Sequence, residues 1–562
     1  MIYCIFGSLK IKIKMNEINL PITEQSNEIT KNIDKSTSEE IINLFSKTDK
    51  QLFHYKYNST ENTALYDTDL LQKIEKISEI IDSKRNEKKF KIILSGCGTS
   101  GRLAYIAAKS LNEYLNEDLC EYIIAGDDFA LINSVEAIED SPKCGYDALK
   151  KHTDNLDSFI FIGITCGLSA PFVAGQIDYC LQMGSVRALA VGLIGFNPAE
   201  LARKNEFKLE ASGLTSTFHQ LIVESSKHEN FYLLNPLVGP EPITGSSRMK
   251  SGSATKVILD LIFLKFLFKS SQLVDIVNIY ENLIDECLYN SSVSSEHLAN
   301  LISLSSSALQ NKQSISYVSH DMQIGVMGCV DASECIPTFG AHREDIRGFI
   351  DYEKCSNSST NWNELKKFPE TSVESSIFRR NETGFKLLIS PKDEYNSTDK
   401  FYNLAPIYDN YNNFISKSSD KNELLKNNFF KDCLRFFLIK LSLNAISTAS
   451  FVKQGKTYEN YMIDVKASNF KLYKRAIHII NLLSASNEGE ISLLKSIYST
   501  DDLSTVHHSD YNRHIELAKD KSFVVSKAII MNKTKCGYEE AVKQLDGCLT
   551  VRTCIENIVK PK

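Results

Sequence analysis

Residues 90–102, FKIILSGCGTSGR, run an apolar strand into a loop of three glycines and two hydroxyl side chains. An amphipathic helix follows, read over residues 103–115. Glycines let a backbone turn tightly and approach a ligand. A helix start offers free N–H groups and the positive end of a dipole, which suits a phosphate. Gly98, Thr99 and Ser100 are therefore candidate ligand contacts. The loop is neither a Walker loop nor G-x-G-x-x-G, since Lys-Ser/Thr is missing and the spacing differs. The structural alternative is a plain strand-to-helix turn, which has no use for two hydroxyls beside its glycines.

The same pattern recurs downstream. SFIFIG at 158–163 is a second strand, followed by a small-residue loop and a helix read over residues 170–183; ALAVGLI at 188–194 is a third strand. Short buried strands alternating with helices give a parallel, doubly wound sheet. Adjacent loops at the C-terminal ends of such strands form one crevice, where ligands bind. Thr165, Cys166 and Gly167 belong to the second of these loops. A third stretch, residues 244–253, packs hydroxyls (Ser246 and Ser247 among them), glycines and two cations ahead of a long apolar helix. It reads as a second anion or sugar-hydroxyl contact, or alternatively as a capping segment with solvated cations.

A second alternation begins after a helical stretch around residues 291–310, with strands at 314–319 and 386–390; there the strand-to-helix loop has decayed to Gln323-Ile324-Gly325-Val326. The segment 350–425 is rich in Asn, Ser, Lys and Asp and its strands resist placement. From about residue 430 the pattern is helical to the end. Phe429, Phe430, Phe436 and Phe437 read as the buried face of a helix, with a docking patch as the alternative. Near the start, a helix is expected from about Ser38, with Glu39 and Glu40 in its first turn.

The bulk numbers narrow the partners. A chain of 562 residues suggests several units rather than one core. Net charge is -6 with the cations scattered, so neither nucleic acid nor a membrane surface is expected as a partner. The most apolar long stretch, 257–268, is broken by Asp260 and Lys265 and is too short to span a bilayer. The 14 cysteines show no C-x-x-C pair and no zinc spacing, so no metal and no cofactor are expected, and the usage fits a reducing compartment. The expected location is the cytoplasm. No signal peptide is read at residues 1–7, and Met15 is an alternative initiator.

Two acidic stretches stand out, Glu136 with Glu139 in VEAIEDS and Glu334 in DASECIPTFG. Composition and spacing alone leave both as solvated faces. The motifs GCGTSGRL, VEAIEDS, GLSAPFVAG, GFNP, NPLVGPE, GSSRMKSGSATK and DASECIPTFG occur in that order, continued by LNAISTA at 443–449 and DVKASNFKL at 464–472. Together they resemble the glucokinase regulatory protein family and, more distantly, bacterial N-acetylmuramic acid 6-phosphate etherase, both in the sugar isomerase (SIS) superfamily.

The resemblance implies an α/β protein of two tandem doubly wound, parallel-sheet SIS (flavodoxin-like) domains with an α-helical C-terminal lid. The boundaries expected are an N-terminal arm over 1–60, a first SIS domain over 61–290, a second over 291–455 and the lid over 456–562. It implies one site for fructose 6-phosphate or fructose 1-phosphate, an inhibited glucokinase- or hexokinase-type partner, and nuclear shuttling in part of the family, for which no basic signal is seen here. Carried over to this sequence, Thr99, Ser100, Ser246 and Ser247 would hold phosphate, and Thr165 to Gly167 and Glu139 would contact the sugar. Glu334 would reach in from the second domain and Lys471 would come down from the lid. No catalytic residue is expected of a regulator; in an etherase-like lyase Glu139 and Glu334 would be the acid–base pair.

Overall fold

The computed structural model describes residues 20–58, 61–133, 135, 137–355, 362–380, 384–391, 401–419, 422–465, 467, 470–519, 521–548 and 550–559. Helix α1 (Ser38–Asp49) starts where Thr37 and Glu40 form a reciprocal cap: the Thr37 hydroxyl accepts from the Glu40 amide at 3.2 Å and the Glu40 carboxylate from the Thr37 amide at 2.8 Å. Ile41, Ile42 and Phe45 then face inward. Helix α2 (Thr68–Lys84) leads into the first sheet.

That sheet is wholly parallel. Its strands are β1 (Phe90–Gly96), β2 (Cys120–Ile124), β3 (Ser158–Ile164), β4 (Ala188–Ile194) and β5 (Phe231–Leu234), in the spatial order β2-β1-β3-β4-β5. β3 is buried at every position, so both of its faces are covered, as its unbroken apolar run requires. The chain passes from β1 to one neighbour and later to the other. The loops after β1 and β3 therefore open side by side at the switch point of the sheet.

The second sheet repeats the plan. β6 (Ile315–Ser319), β7 (Ile346–Ile350), β8 (Phe385–Leu388) and β9 (Tyr402–Asn403) lie in the order β9-β8-β6-β7, all parallel. Read from β7, this matches β2-β1-β3-β4 of the first sheet, so the duplication is visible in topology. The strand read at 386–390 begins and ends slightly earlier, at Phe385–Leu388.

One helix start and one helix end differ from the sequence reading. Helix α3 runs Thr99–Leu115 and takes in the hydroxyl residues of the loop, because Gly98 at φ +50 makes the whole turn. Helix α4 runs Pro171–Arg187, entered by a proline at its first position and kinked at Gly184. In the second unit, residues 323–326 are not a decayed loop: they form the first turn of the helix Met322–Phe339, capped by Asp321. The turn itself has shrunk to His320 and Asp321.

Helix α5 (Lys250–Leu267) is buried along nearly its whole length. Beyond it lie α6 (Ser292–Gln310), α7 (Met322–Phe339) and the 26-residue α8 (Asn428–Lys453). Helix α8 is long and apolar enough to cross a membrane, yet 94% of its apolar window is buried inside the protein, against α5, α6 and α7. Phe429, Phe430, Phe436 and Phe437 are part of that buried surface. A hairpin (Thr457–Tyr458 with Tyr461–Met462) follows, then helices from α9 (Phe470–Ser484) to Val551–Val559. The N-terminal arm is threaded under this hairpin: Asn460 donates to the Asn27 carbonyl at 2.9 Å and to the Thr30 hydroxyl at 3.1 Å. One continuous apolar core joins arm, sheets and C-terminal helices.

Candidate functional site

A cleft of about 1110 Å3, mouth included, opens at the switch point of the first sheet. Gly98, Thr99, Ser100, Glu139, Thr165, Cys166, Gly167, Ser246, Ser247 and Glu334 all line it. These residues come from the start of α3, three other segments of the first unit and the α7 helix, and folding brings them to one place. Lys471 lies on α9, and its side chain is outside the described residues, as is Glu136.

Gly98 stands at the N-cap of α3 in a left-handed conformation that other residues rarely adopt, and no atom crowds its missing side chain. Its role is conformational. Gly252, at the start of α5, lies beside Thr99: a Cβ there would make ordinary contact, 3.5 Å, with both Thr99 Cγ2 and Lys440 Nζ. The starts of α3 and α5 thus converge on the cleft, bringing two positive dipole ends together.

Thr165 organises its loop. Its hydroxyl accepts from the Ser169 amide at 3.1 Å and the Ala170 amide at 3.2 Å, which folds residues 165–170 into the start of α4. Cys166 is buried, with Sγ 3.6 Å from Ser100 Oγ, so the loops after β1 and β3 touch. The 244–247 loop is held by the arm and the hairpin: the Gly245 amide donates to the Thr23 carbonyl at 3.0 Å and the Thr244 amide to the Asn460 carbonyl at 2.8 Å. Within this loop Ser246 Oγ is buried with no hydrogen-bond partner, and so is Arg248 Nε.

Sequence reasoning counted Arg248 only as one of two cations at a helix entry and gave Arg102 no role, although both stand inside quoted motifs. Arg102 is almost fully buried. Its Nε donates to the Ala130 and Leu131 carbonyls at 2.9 and 3.0 Å, one Nη to the Asn133 carbonyl at 2.7 Å, and the other pairs with Glu334. Arg248 pairs with Asp331 at 2.9 Å and donates to Ser447 and Thr448 on α8. Asp331 and Glu334, three residues apart on one face of α7, thus each take an arginine from the first unit. The second cation of the 244–253 stretch does not face the cleft: the Lys250 ammonium points to Gln51 and to the Val238 carbonyl. Arg203 pairs with Asp140, and Arg475, from α9, with Glu24 of the arm. Both also line the cleft.

Behind the helix starts lies a buried polar network. Lys440 donates to the Arg248 carbonyl at 2.9 Å, to Ser253 at 3.0 Å and to Asn444 at 2.8 Å. Burial pulls its ammonium down to about 8, with Asp331 acting against the fall. Glu241, in NPLVGPE, caps α5 by accepting from the Lys250 and Ser251 amides at 2.9 and 3.0 Å. Burial pulls Lys250 down to about 7 and lifts Asp49 to about 6. Among the described residues no cluster of His, Cys, Asp and Glu could hold a metal ion.

The arrangement suits a small polar ligand with one anionic group. Two helix starts, several hydroxyls, two glutamates and loop backbone line the same cleft. All four cleft arginines are committed to carboxylates, so neutral donors and helix dipoles are left to meet the anion.

Three family models match the chain. One is described as the glucokinase regulatory protein N-terminal SIS domain, over residues 72–181. The others are its second SIS domain, over 292–381, and its C-terminal lid domain, over 459–555. The glucokinase regulatory protein of Xenopus laevis is 30% identical over 96% of this chain and 93% of its own length. That of Rattus norvegicus is 31% identical over 95% of this chain and 91% of its own. An N-acetylmuramic acid 6-phosphate etherase from Lactobacillus johnsonii is 26% identical over 54% of this chain and 87% of its own length. Among solved structures, tagatose-6-phosphate ketose/aldose isomerase from Escherichia coli aligns with a TM-score of 0.38 at 10% identity, over 74% of this chain and 94% of that one.

Proposed function

The chain belongs to the glucokinase regulatory protein family, and on that premise we propose that it is a sugar-phosphate sensor which inhibits a glucokinase- or hexokinase-type enzyme. Fructose 6-phosphate or fructose 1-phosphate occupies the cleft, with the phosphate between the starts of α3 and α5. The observation that carries this reading is a buried polar atom without a partner in the cleft lining just ahead of α5, Ser246 Oγ. Buried polar groups are nearly always hydrogen-bonded, and an anion with several acceptor oxygens would supply what this one lacks.

Regulation follows from where the cleft is built. Its walls come from the first sheet, α7 and the segments holding Met462, Leu472 and Arg475. A ligand touching all three stabilises one relative arrangement of them, and one ester would favour the partner-binding arrangement while the other favours its alternative. A ligand shifts that balance only by its difference in affinity for the two states.

The etherase-like alternative needs Glu139 and Glu334 as an acid–base pair. Glu334 is ion-paired with the buried Arg102 guanidinium, so its carboxylate is committed to a structural contact between the two units rather than left open to a substrate oxygen. The test is glucose phosphorylation by a hexokinase-type enzyme at a fixed concentration of this protein, with each fructose phosphate titrated in. Inhibition that one ester strengthens and the other relieves is the expected result. A phosphorylation rate indifferent to the protein at every ester concentration refutes the proposal.

A further inference from the structure

We propose a second anion site, in the second sheet-bearing unit, that takes a phosphoryl group through Arg343 and Arg347. A separate cavity of about 430 Å3 lies there, lined by Ala332, Ser333 and Ile336 of α7, by Arg343 and Arg347, and by Glu370. Arg347 is on β7, and its Nε donates to the Arg343 backbone carbonyl at 2.8 Å, which fixes the Arg347 side chain beside the Arg343 backbone. Among the described residues neither guanidinium forms an ion pair, whereas the four arginines of the sugar cleft all do. Glu370 lines the same cavity without an ion pair to either, and it and Glu344 are the carboxylates whose charge reaches Arg347. Burial, and then the neighbouring Arg343 charge, hold the Arg347 guanidinium below the usual arginine range. An anion between the two would relieve that repulsion, and paired guanidiniums match the geometry of phosphate oxygens.

The cavity is next to the cleft without being part of it. Asn133 lines both. Its backbone carbonyl is gripped by Arg102, and its Oδ1 is buried with no partner. On α7, Ala332, Ser333 and Ile336 face the second cavity while Glu334, Pro337 and Thr338 face the cleft. An anion at Arg343 and Arg347 would therefore rest against the far side of the loop that the Arg102–Glu334 pair holds in place. The phosphoryl group has two sources: a free phosphate, or the second phosphate of a bisphosphorylated sugar lying in the cleft. The site itself does not depend on the cleft binding a fructose phosphate.

The test is titration of the full chain with inorganic phosphate, read by thermal shift and calorimetry, in the wild type, in Arg343→Gln and in Arg343→Gln/Arg347→Gln. Arg343 is exposed, so the single variant keeps the test open if the double variant folds poorly. Each titration is run with and without saturating fructose 6-phosphate. The expected result is a phosphate response that persists in the sugar-saturated wild type and weakens about tenfold or more when Arg343 is replaced. A wild type silent to added phosphate, yet binding fructose 1,6-bisphosphate about tenfold tighter than fructose 6-phosphate through the same arginines, assigns the group to the sugar. A phosphate response unchanged in both variants, or no response together with equal affinity for the two sugars, overturns the site. If fructose 6-phosphate does not bind at all, the functional reading fails, while the comparison of wild type and variants in phosphate alone still decides this one.

Discussion

Glu334, on the helix of the second sheet-bearing unit, is ion-paired with Arg102, on the helix that follows the first strand of the first unit. Both side chains are buried, and the same guanidinium also satisfies the carbonyls of Ala130, Leu131 and Asn133. One contact therefore fixes the relation between the two units and shapes a wall of the cleft. Removing one member of a buried pair leaves the other charge uncompensated, at a cost of about 3–5 kcal/mol. Glu334→Leu should lower stability in urea denaturation by that order. Arg102→Met should cost more, since three carbonyls lose their donor as well. The double variant should be less destabilised than the sum of the two; strict additivity would show that the pair contributes no coupling.

Ser246 should separate binding from folding. Its hydroxyl is buried without a partner, so Ser246→Ala removes an unsatisfied group and should leave the melting temperature of the free protein unchanged or slightly raised. Affinity for the fructose phosphate should fall by about tenfold, the loss expected for one hydrogen bond to a charged acceptor. Isothermal titration calorimetry on the two proteins checks both statements.

Gly98 carries a purely conformational demand. It sits at φ +50 with nothing near its missing side chain, so Gly98→Ala meets backbone strain without a clash. The expected cost is about 1–3 kcal/mol, with weaker ligand binding because the start of α3 must shift to relieve it. A variant as stable and as tightly binding as the wild type would show that the turn is not fixed as described.

Asp49 should give stability a pH dependence. Burial lifts its carboxyl from 3.8 to about 6, so the folded state holds the proton more tightly than the unfolded chain does. The contribution is therefore fully present below pH 3.8 and is lost as pH rises through 6. Asp49→Asn keeps an acceptor for the Tyr289 hydroxyl and removes the titration. Between pH 4 and 6 the wild type should lose up to about 3 kcal/mol relative to the variant. Parallel stability curves for the two proteins would contradict the shift.

Much of the cleft was legible because its residues are local signals. The strand, glycine and hydroxyl pattern of residues 90–102 placed Thr99 and Ser100 at a helix start, and the repeat of that pattern placed Thr165 beside them. Glu139 and Glu334 were different. Nothing in their surroundings distinguishes them from solvated acids, and only resemblance to a known family raised them to site residues. The roles of the arginines were missed for a physical reason: a cation's role depends on what faces it, and Arg102 meets a carboxylate 232 positions away in the chain. Lys250 shows the converse, a cation at the right helix start whose ammonium turns into the core. Within the segment 350–425 the strand read at 386–390 is found at Phe385–Leu388, whereas Tyr402–Asn403, the other strand among its described residues, is too short for alternation to register.

The most direct test is a thermal-shift titration of the purified protein with fructose 6-phosphate, fructose 1-phosphate and N-acetylmuramic acid 6-phosphate, with free lactate assayed in the last. A ligand at 100 times its dissociation constant should stabilise the fold by about 2.7 kcal/mol. The account predicts that a fructose phosphate gives this shift and that no lactate appears. Lactate release abolished by Glu334→Gln, with no response to either fructose phosphate, would contradict it and make the protein a lyase.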